Sequence, residues 1–157
     1  MHKITPCLWF DREAEEAARF YCGTFFRSTM GRISHYGPGA PMPEGSVLMV
    51  AFELEGQPFQ ALNGGPQFPF TPAISLSVDC QSQDEVDRLW ARLSEGGRAD
   101  RCGWLQDRWG LSWQIVPRVL LHLLHDPNPR KSQAVMQAML QMGKLDIADL
   151  QRAHALA

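Results

Sequence analysis

The chain has 157 residues, 45% of them hydrophobic and 20% charged, with a formal net charge of -2 at pH 7. That is the length of one domain, 1–157, with the composition of an ordinary globular core, which excludes disorder and any need for disulfide or metal staples. The near-neutral charge and scattered basic residues remove the electrostatic case for nucleic acid or an anionic membrane as partner, and no apolar run approaches the ~20 residues that cross a bilayer.

Residues 3–10, KITPCLWF, read as a short apolar strand that starts without a basic, long apolar or cleavable leader, so a cytoplasmic protein is expected. DREAEEAARFYCGTF follows, with Ala14, Ala17, Ala18, Tyr21 and Phe25 at helical spacing and Asp11 as the expected N-cap. STMGRISHYG, GSVLMVAFELEG and QPFQALNGG then read as three strands. The loop YGPGAPMPEG between the first two is long enough to form a flap over a pocket, although an exposed hairpin connection is the commoner role. NGGPQFPFTP, rich in Gly and Pro, reads as a connection.

Beyond it the same order returns. AISLSVDC repeats the strand, and SQDEVDRLWARLSEGG repeats the helix, with Ser82 and Glu85 at capping-box spacing, an apolar stripe of Val86, Leu89, Trp90 and Leu93, and Gly96-Gly97 as the stop. RADRCGWL and LSWQIVP are strand-like around an Asp107–Gly110 turn. The sequence therefore reads as a duplicated β-α-β-β-β unit, 3–63 and 73–117. After Pro117 the pattern becomes helical. Val135, Met136, Met139 and Leu140, then Leu145, Ile147 and Leu150 beyond a break at Gly143, predict a C-terminal helical extension over 120–155, whose apolar face is expected to pack on the sheet units or a partner subunit.

Chemistry-bearing residues are sparse. Cys7, Cys22, Cys80 and Cys102 form no C-x-x-C pair, which points away from zinc or a redox dithiol and towards four buried free thiols; Cys102, beside Gly103, is the one worth testing. His35, His122, His125 and His154 fall at loop edges or in the C-terminal region, where solvated roles are expected. The acidic pairs Glu15/Glu16 and Asp84/Glu85 sit near helix N-termini, where the helix dipole accounts for them.

The stretches ITPCLWFD, AEEAARFY, FELEGQPFQALNGGP, CGWLQDRWGLSWQIVP and VMQAMLQM resemble the glyoxalase/bleomycin-resistance/dioxygenase, or vicinal oxygen chelate, superfamily, and within it the PhnB-like branch labelled the 3-demethylubiquinone-9 3-methyltransferase domain. The resemblance implies an α+β fold in which two β-α-β-β-β units form a cupped mixed sheet around one cavity, often in a homodimer. Metal-dependent members carry His or Glu on the first and last strands of each unit. The matching positions here are Pro6, Ala73, Gln114 and a residue near Gln60, two without any side-chain donor and two uncharged amides, so no metal site is expected. The implied cavity walls are Leu8, Asn63, Ser75, Ser112 and Gln114, with Tyr36 and Trp104 near the mouth, and Trp113 is expected on the opposite, core-facing side of its strand. This predicts a small-molecule-binding protein without a cofactor; the alternative is an enzyme of the same fold. The family label suggests methyl transfer, but LNGGP opens into Pro, Gln and Phe instead of the helix that a Rossmann-type cofactor turn requires.

Overall fold

The computed structural model describes residues 2–157. The fold is α+β, with two mixed four-stranded sheets and five helices among the described residues. The chain divides into two compact units, Met1–Phe70 and Thr71–Ala157.

In the first unit, strand β1 (Cys7–Phe10) leads into helix α1 (Ala14–Thr24), followed by β2 (Ser28–His35), β3 (Val47–Leu54) and β4 (Gln57–Asn63). The sheet order is β1-β4-β3-β2, with β1 parallel to β4 and the other pairs antiparallel. β3 and β4 are joined by two residues with positive φ, Glu55 at 50° and Gly56 at 81°, the conformation a tight hairpin needs to match strand twist. Helical spacing turns Ala14, Ala17, Ala18 and Tyr21 inward, and all four are fully buried. They meet the sheet face carrying Leu8, Phe10, Val50, Phe52, Phe59 and Ala61, where Tyr21 stacks on Phe52 and Phe52 on Phe59. Each large side chain buried there contributes about 1.5–3 kcal/mol.

The second unit repeats the topology. β5 (Ser75–Cys80), α2 (Gln83–Ser94), β6 (Arg98–Ala99), β7 (Trp104–Gln106) and β8 (Ser112–Pro117) pair in the order β5-β8-β7-β6, again with a parallel first pair. Ser82 caps α2 by accepting from Glu85 N at 3.2 Å, and Glu85 Oε2 accepts from Gln81 N at 3.0 Å. Gly96, at φ 75°, ends it. Val86, Leu89 and Leu93 are buried, while Trp90, at the edge of the stripe, is half-buried.

The C-terminal region begins directly at β8 and holds three helices, α3 (Arg118–Leu124), α4 (Pro129–Leu140) and α5 (Ile147–Ala155). Leu120, Leu123, Val135, Leu145 and Leu150 form their own buried cluster, joined by Val116 and Met139. Met136 and Leu140, expected on the packing face, are 40% and 47% exposed. Adjacent helix positions lie ~100° apart, so a cluster that takes Val135 and Met139 turns Met136 and Leu140 outward. No helix among the described residues is long and apolar enough to cross a membrane.

Candidate functional site

The tryptophan-rich hairpin of the second unit is organised by a carboxylate. Asp107 is 3% exposed. Its Oδ1 accepts from Trp109 N at 3.0 Å and Leu111 N at 3.1 Å, and its Oδ2 accepts from the indole Nε1 of Trp113 at 2.9 Å. The turn closes with Asp107 N donating to Leu111 O and Gly110 N to Asp107 O. A buried indole N–H needs an acceptor, and this one fixes Trp113 in the core beside Ile115 and Leu105, as strand alternation requires. Sequence reasoning placed Asp107 only in a turn. The signal was its position two residues before Trp109, where an Asp side chain reaches forward to backbone N–H groups.

On the other face of this sheet the register aligns Ser75 with Ser112, Ser77 with Gln114, and Gln114 with Trp104. Gln114 Nε2 donates to Ser75 Oγ at 2.9 Å. Ser112 is 1% exposed, and its hydroxyl is buried without a hydrogen-bond partner. Four expected wall or mouth residues thus share one sheet face, and one of them carries an unsatisfied polar atom.

The remaining three lie in the first unit. Leu8 is not on the open face: it pairs with Ala61 and shares the α1 side with Phe10, so alternation exposes Cys7 and half-exposes Trp9 on the reverse. Asn63 is structural. Its Oδ1 accepts from Ala14 N at 2.9 Å, its Nδ2 donates to Val47 O at 3.1 Å, and its backbone oxygen accepts from Tyr36 Oη at 2.6 Å. It caps α1 across the sheet, so Asp11 does not cap; the formal N-cap, Glu13, makes no side-chain cap bond either. Tyr36 and Asn63 do share a hollow of about 400 Å³ with Asp11, Glu15 and the loop residues Met42 and Pro43. A second hollow of about 350 Å³ lies along β2, β3 and β4, where Thr5, Thr29, Glu53 and Gln60 surround Gly31 and Ala51. Gly31 lines it, and a Cβ there would come within 2.9 Å of Ala51 O, so the close approach of β2 to β3 requires glycine.

Metal and cofactor chemistry can be judged from the donors. Pro6 and Ala73 precede β1 and β5 without side-chain donors, and Gln114 spends an amide hydrogen on Ser75. Among the described residues no three His, Cys, Asp or Glu side chains are grouped to hold a metal ion. The glycine pair after β4 is filled by Trp9, whose Nε1 donates to Gly65 O at 2.9 Å and whose ring lies where a Cβ on Gly64 would fall.

The thiols are less buried than expected: only Cys80 is fully buried, and Cys7 is exposed. Desolvation, with Glu85 and Asp79 nearby, pushes the Cys80 thiol up to about 12, and partial desolvation also raises Cys7 and Cys22. Cys102 adopts φ 59° and donates its N–H to Met142 O at 2.8 Å. His154 is not simply solvated. It pairs with Asp126 at 2.8 Å, and that hydrogen bond holds the Asp126 carboxyl below the usual carboxylate range.

The family profile described as 3-demethylubiquinone-9 3-methyltransferase matches residues 2–116. The PhnB protein from Bacillus cereus is 36% identical, with a TM-score of 0.68, over 74% of this chain and 99% of that one. A protein from Pseudomonas aeruginosa is 21% identical, with a TM-score of 0.62, over 74% and 98% of the two chains. The genomically encoded fosfomycin resistance protein FosX from Listeria monocytogenes shares the fold at 12% identity and a TM-score of 0.51, over 74% and 93%. No curated protein matches the sequence significantly.

Proposed function

Since the chain belongs to the 3-demethylubiquinone-9 3-methyltransferase family of the vicinal oxygen chelate superfamily, we propose that it binds a small, neutral, partly apolar molecule on the face of the second sheet that carries Ser75, Ser112 and Gln114, with Trp104 beside them, and that it does so without a bound metal. The observation that carries this reading is the Ser112 hydroxyl, buried and without a partner. An unmatched buried hydroxyl costs about 1–3 kcal/mol, a cost that a ligand group reaching it removes. Gln114 can supply an acceptor and donors to the same ligand, and the absence of formal charge among these side chains favours a neutral partner over an ion. Methyl transfer is not part of the proposal, because the glycine pair after β4 is packed by Trp9 and leads into no helix. The family resemblance also supports a homodimer, which light scattering of the purified protein tests directly.

The experiment is a thermal-shift screen against neutral hydroxyl- and amide-bearing metabolites, with each hit repeated on Ser112→Ala and Gln114→Leu. Gln114→Leu keeps similar bulk and should fold, while weakening binding by about 1–3 kcal/mol. Ser112→Ala should abolish the stabilisation given by the same hits. Hits that stabilise both variants as they do the parent would move the site elsewhere, and stoichiometric transition metal in protein purified without chelator would overturn the metal-free reading.

A further inference from the structure

The hollow at the start of α1 is built differently from the sheet face of the second unit. One side is apolar, formed by Tyr36, Met42, Pro43 and Val47, and the rim carries Asp11, Glu15 and Arg12. The loop that supplies Met42 and Pro43 is pinned in place: Tyr36 N donates to Ser46 O and Gly45 N to Tyr36 O, both at 2.8 Å, and Ser46 Oγ donates to Pro43 O at 2.6 Å. Tyr36 Oη is held by Asn63 O, so the ring is fixed as well. A pocket already formed loses little entropy when a ligand enters.

Asp11 is the unexplained group. It does not cap α1, its side chain makes no hydrogen bond to a described residue, and the cation beside it, Arg12, stands 4.0 Å away on a side chain 88% exposed to water. Glu15 is already matched by Arg19, so Asp11, with the solvent-exposed Arg12 guanidinium near it, is the carboxylate left for a ligand. Two backbone donors at the helix entrance are taken, Ala14 N by Asn63 and Arg12 N by Glu13. A carboxylate beside a fixed aromatic ring, a thioether and a pyrrolidine ring suits an ammonium group carrying an apolar body.

We propose that the hollow of the first unit between the start of α1 and the Tyr36–Ser46 loop binds small organic cations, a protonated amine on a short apolar body. Its volume of about 400 Å³ lies near the lower end of the roughly 300–1,000 Å³ typical of ligand pockets, which sets the scale at a single ring with a short chain.

The test uses three probes with the same body, 2-phenylethylammonium, 2-phenylethanol and 3-phenylpropionate, titrated into the full chain labelled for amide NMR. The ammonium should bind best, with shifts centred on residues 11–15 and 36–47. Asp11→Asn, at a half-buried position, should fold normally and weaken the ammonium by about twofold to fivefold, while leaving the alcohol's affinity unchanged. Binding of the carboxylate as tight as the ammonium, shifts centred elsewhere, unchanged ammonium affinity in Asp11→Asn, or no saturation by any probe would each overturn the proposal.

Discussion

The two units share one topology and hold it by opposite means. In the first, β2 and β3 are eight residues each, and the sheet itself supplies the missing polar partner of its helix when Asn63 of β4 caps α1. In the second, β6 has two residues and β7 three. α2 is capped locally by Ser82, and the shortened strands are braced from two sides. Asp107 ties the hairpin to Trp113. The C-terminal region holds the loop before β7, where Cys102 N donates to Met142 O and Gly103 N to Gly143 O, and it engages α2, where Gln83 Nε2 donates to Leu145 O at 3.1 Å, its Oε1 accepts from Ile147 N at 2.7 Å, and Lys144 pairs with Asp87 at 2.9 Å. A sheet that loses ladder hydrogen bonds needs replacements elsewhere, and here the replacements come largely from residues beyond the family match, which ends at 116.

If that account is right, the largest effect comes from removing residues after Pro127. The truncation deletes Val135, Leu145 and Leu150, all fully buried. At about 2–5 kcal/mol for each large apolar side chain removed, the loss is comparable with the about 5–15 kcal/mol stability of a whole domain. The expected product aggregates or loses cooperative urea unfolding; an unchanged urea midpoint would show that the second unit needs no brace.

A smaller effect sharpens the contrast between the two anchors. Asp107→Ala leaves a buried indole N–H and two backbone N–H groups without their partner and should cost about 3 kcal/mol or more. Asn63→Ala removes one helix cap and one donor to Val47 O, and about 2 kcal/mol is expected. Chemical denaturation of both variants checks the order, and equal losses would erase the distinction.

The smallest effect is electrostatic. The Asp126 carboxyl is held low chiefly by His154, so its contribution is present above the ordinary carboxylate value of about 3.9 and is lost as pH falls through the lowered folded value. The parent should therefore be slightly more stable than Asp126→Asn at neutral pH, with the two melting temperatures converging in acid. Parallel melting curves at all pH values would remove the pair from the bracing set.

Much of this was legible in the chain. Period-3.6 alanines and Tyr21 specified the buried face of α1, the Ser82/Glu85 spacing specified the start of α2, and the recurrence of the pattern specified the duplicated unit, because these signals depend on neighbours within a few residues. Alternation also put Trp113 on the core side and Ser112 with Gln114 on the other. It misassigned Leu8, whose short strand carries apolar residues on both faces and so has no readable phase until β4 pairs with it. The cap of α1 was invisible for the same reason: Asn63 lies 49 residues from Ala14, and Asp11 was simply the nearest capable side chain. The partner of the Trp113 indole, the unmatched hydroxyl of Ser112 and the choice of Val135 over Met136 for the core were all decided by tertiary structure. Sequence fixes which groups can form a hydrogen bond or be buried, but which of them meet is settled only when strand register and helix docking bring distant residues to the same place.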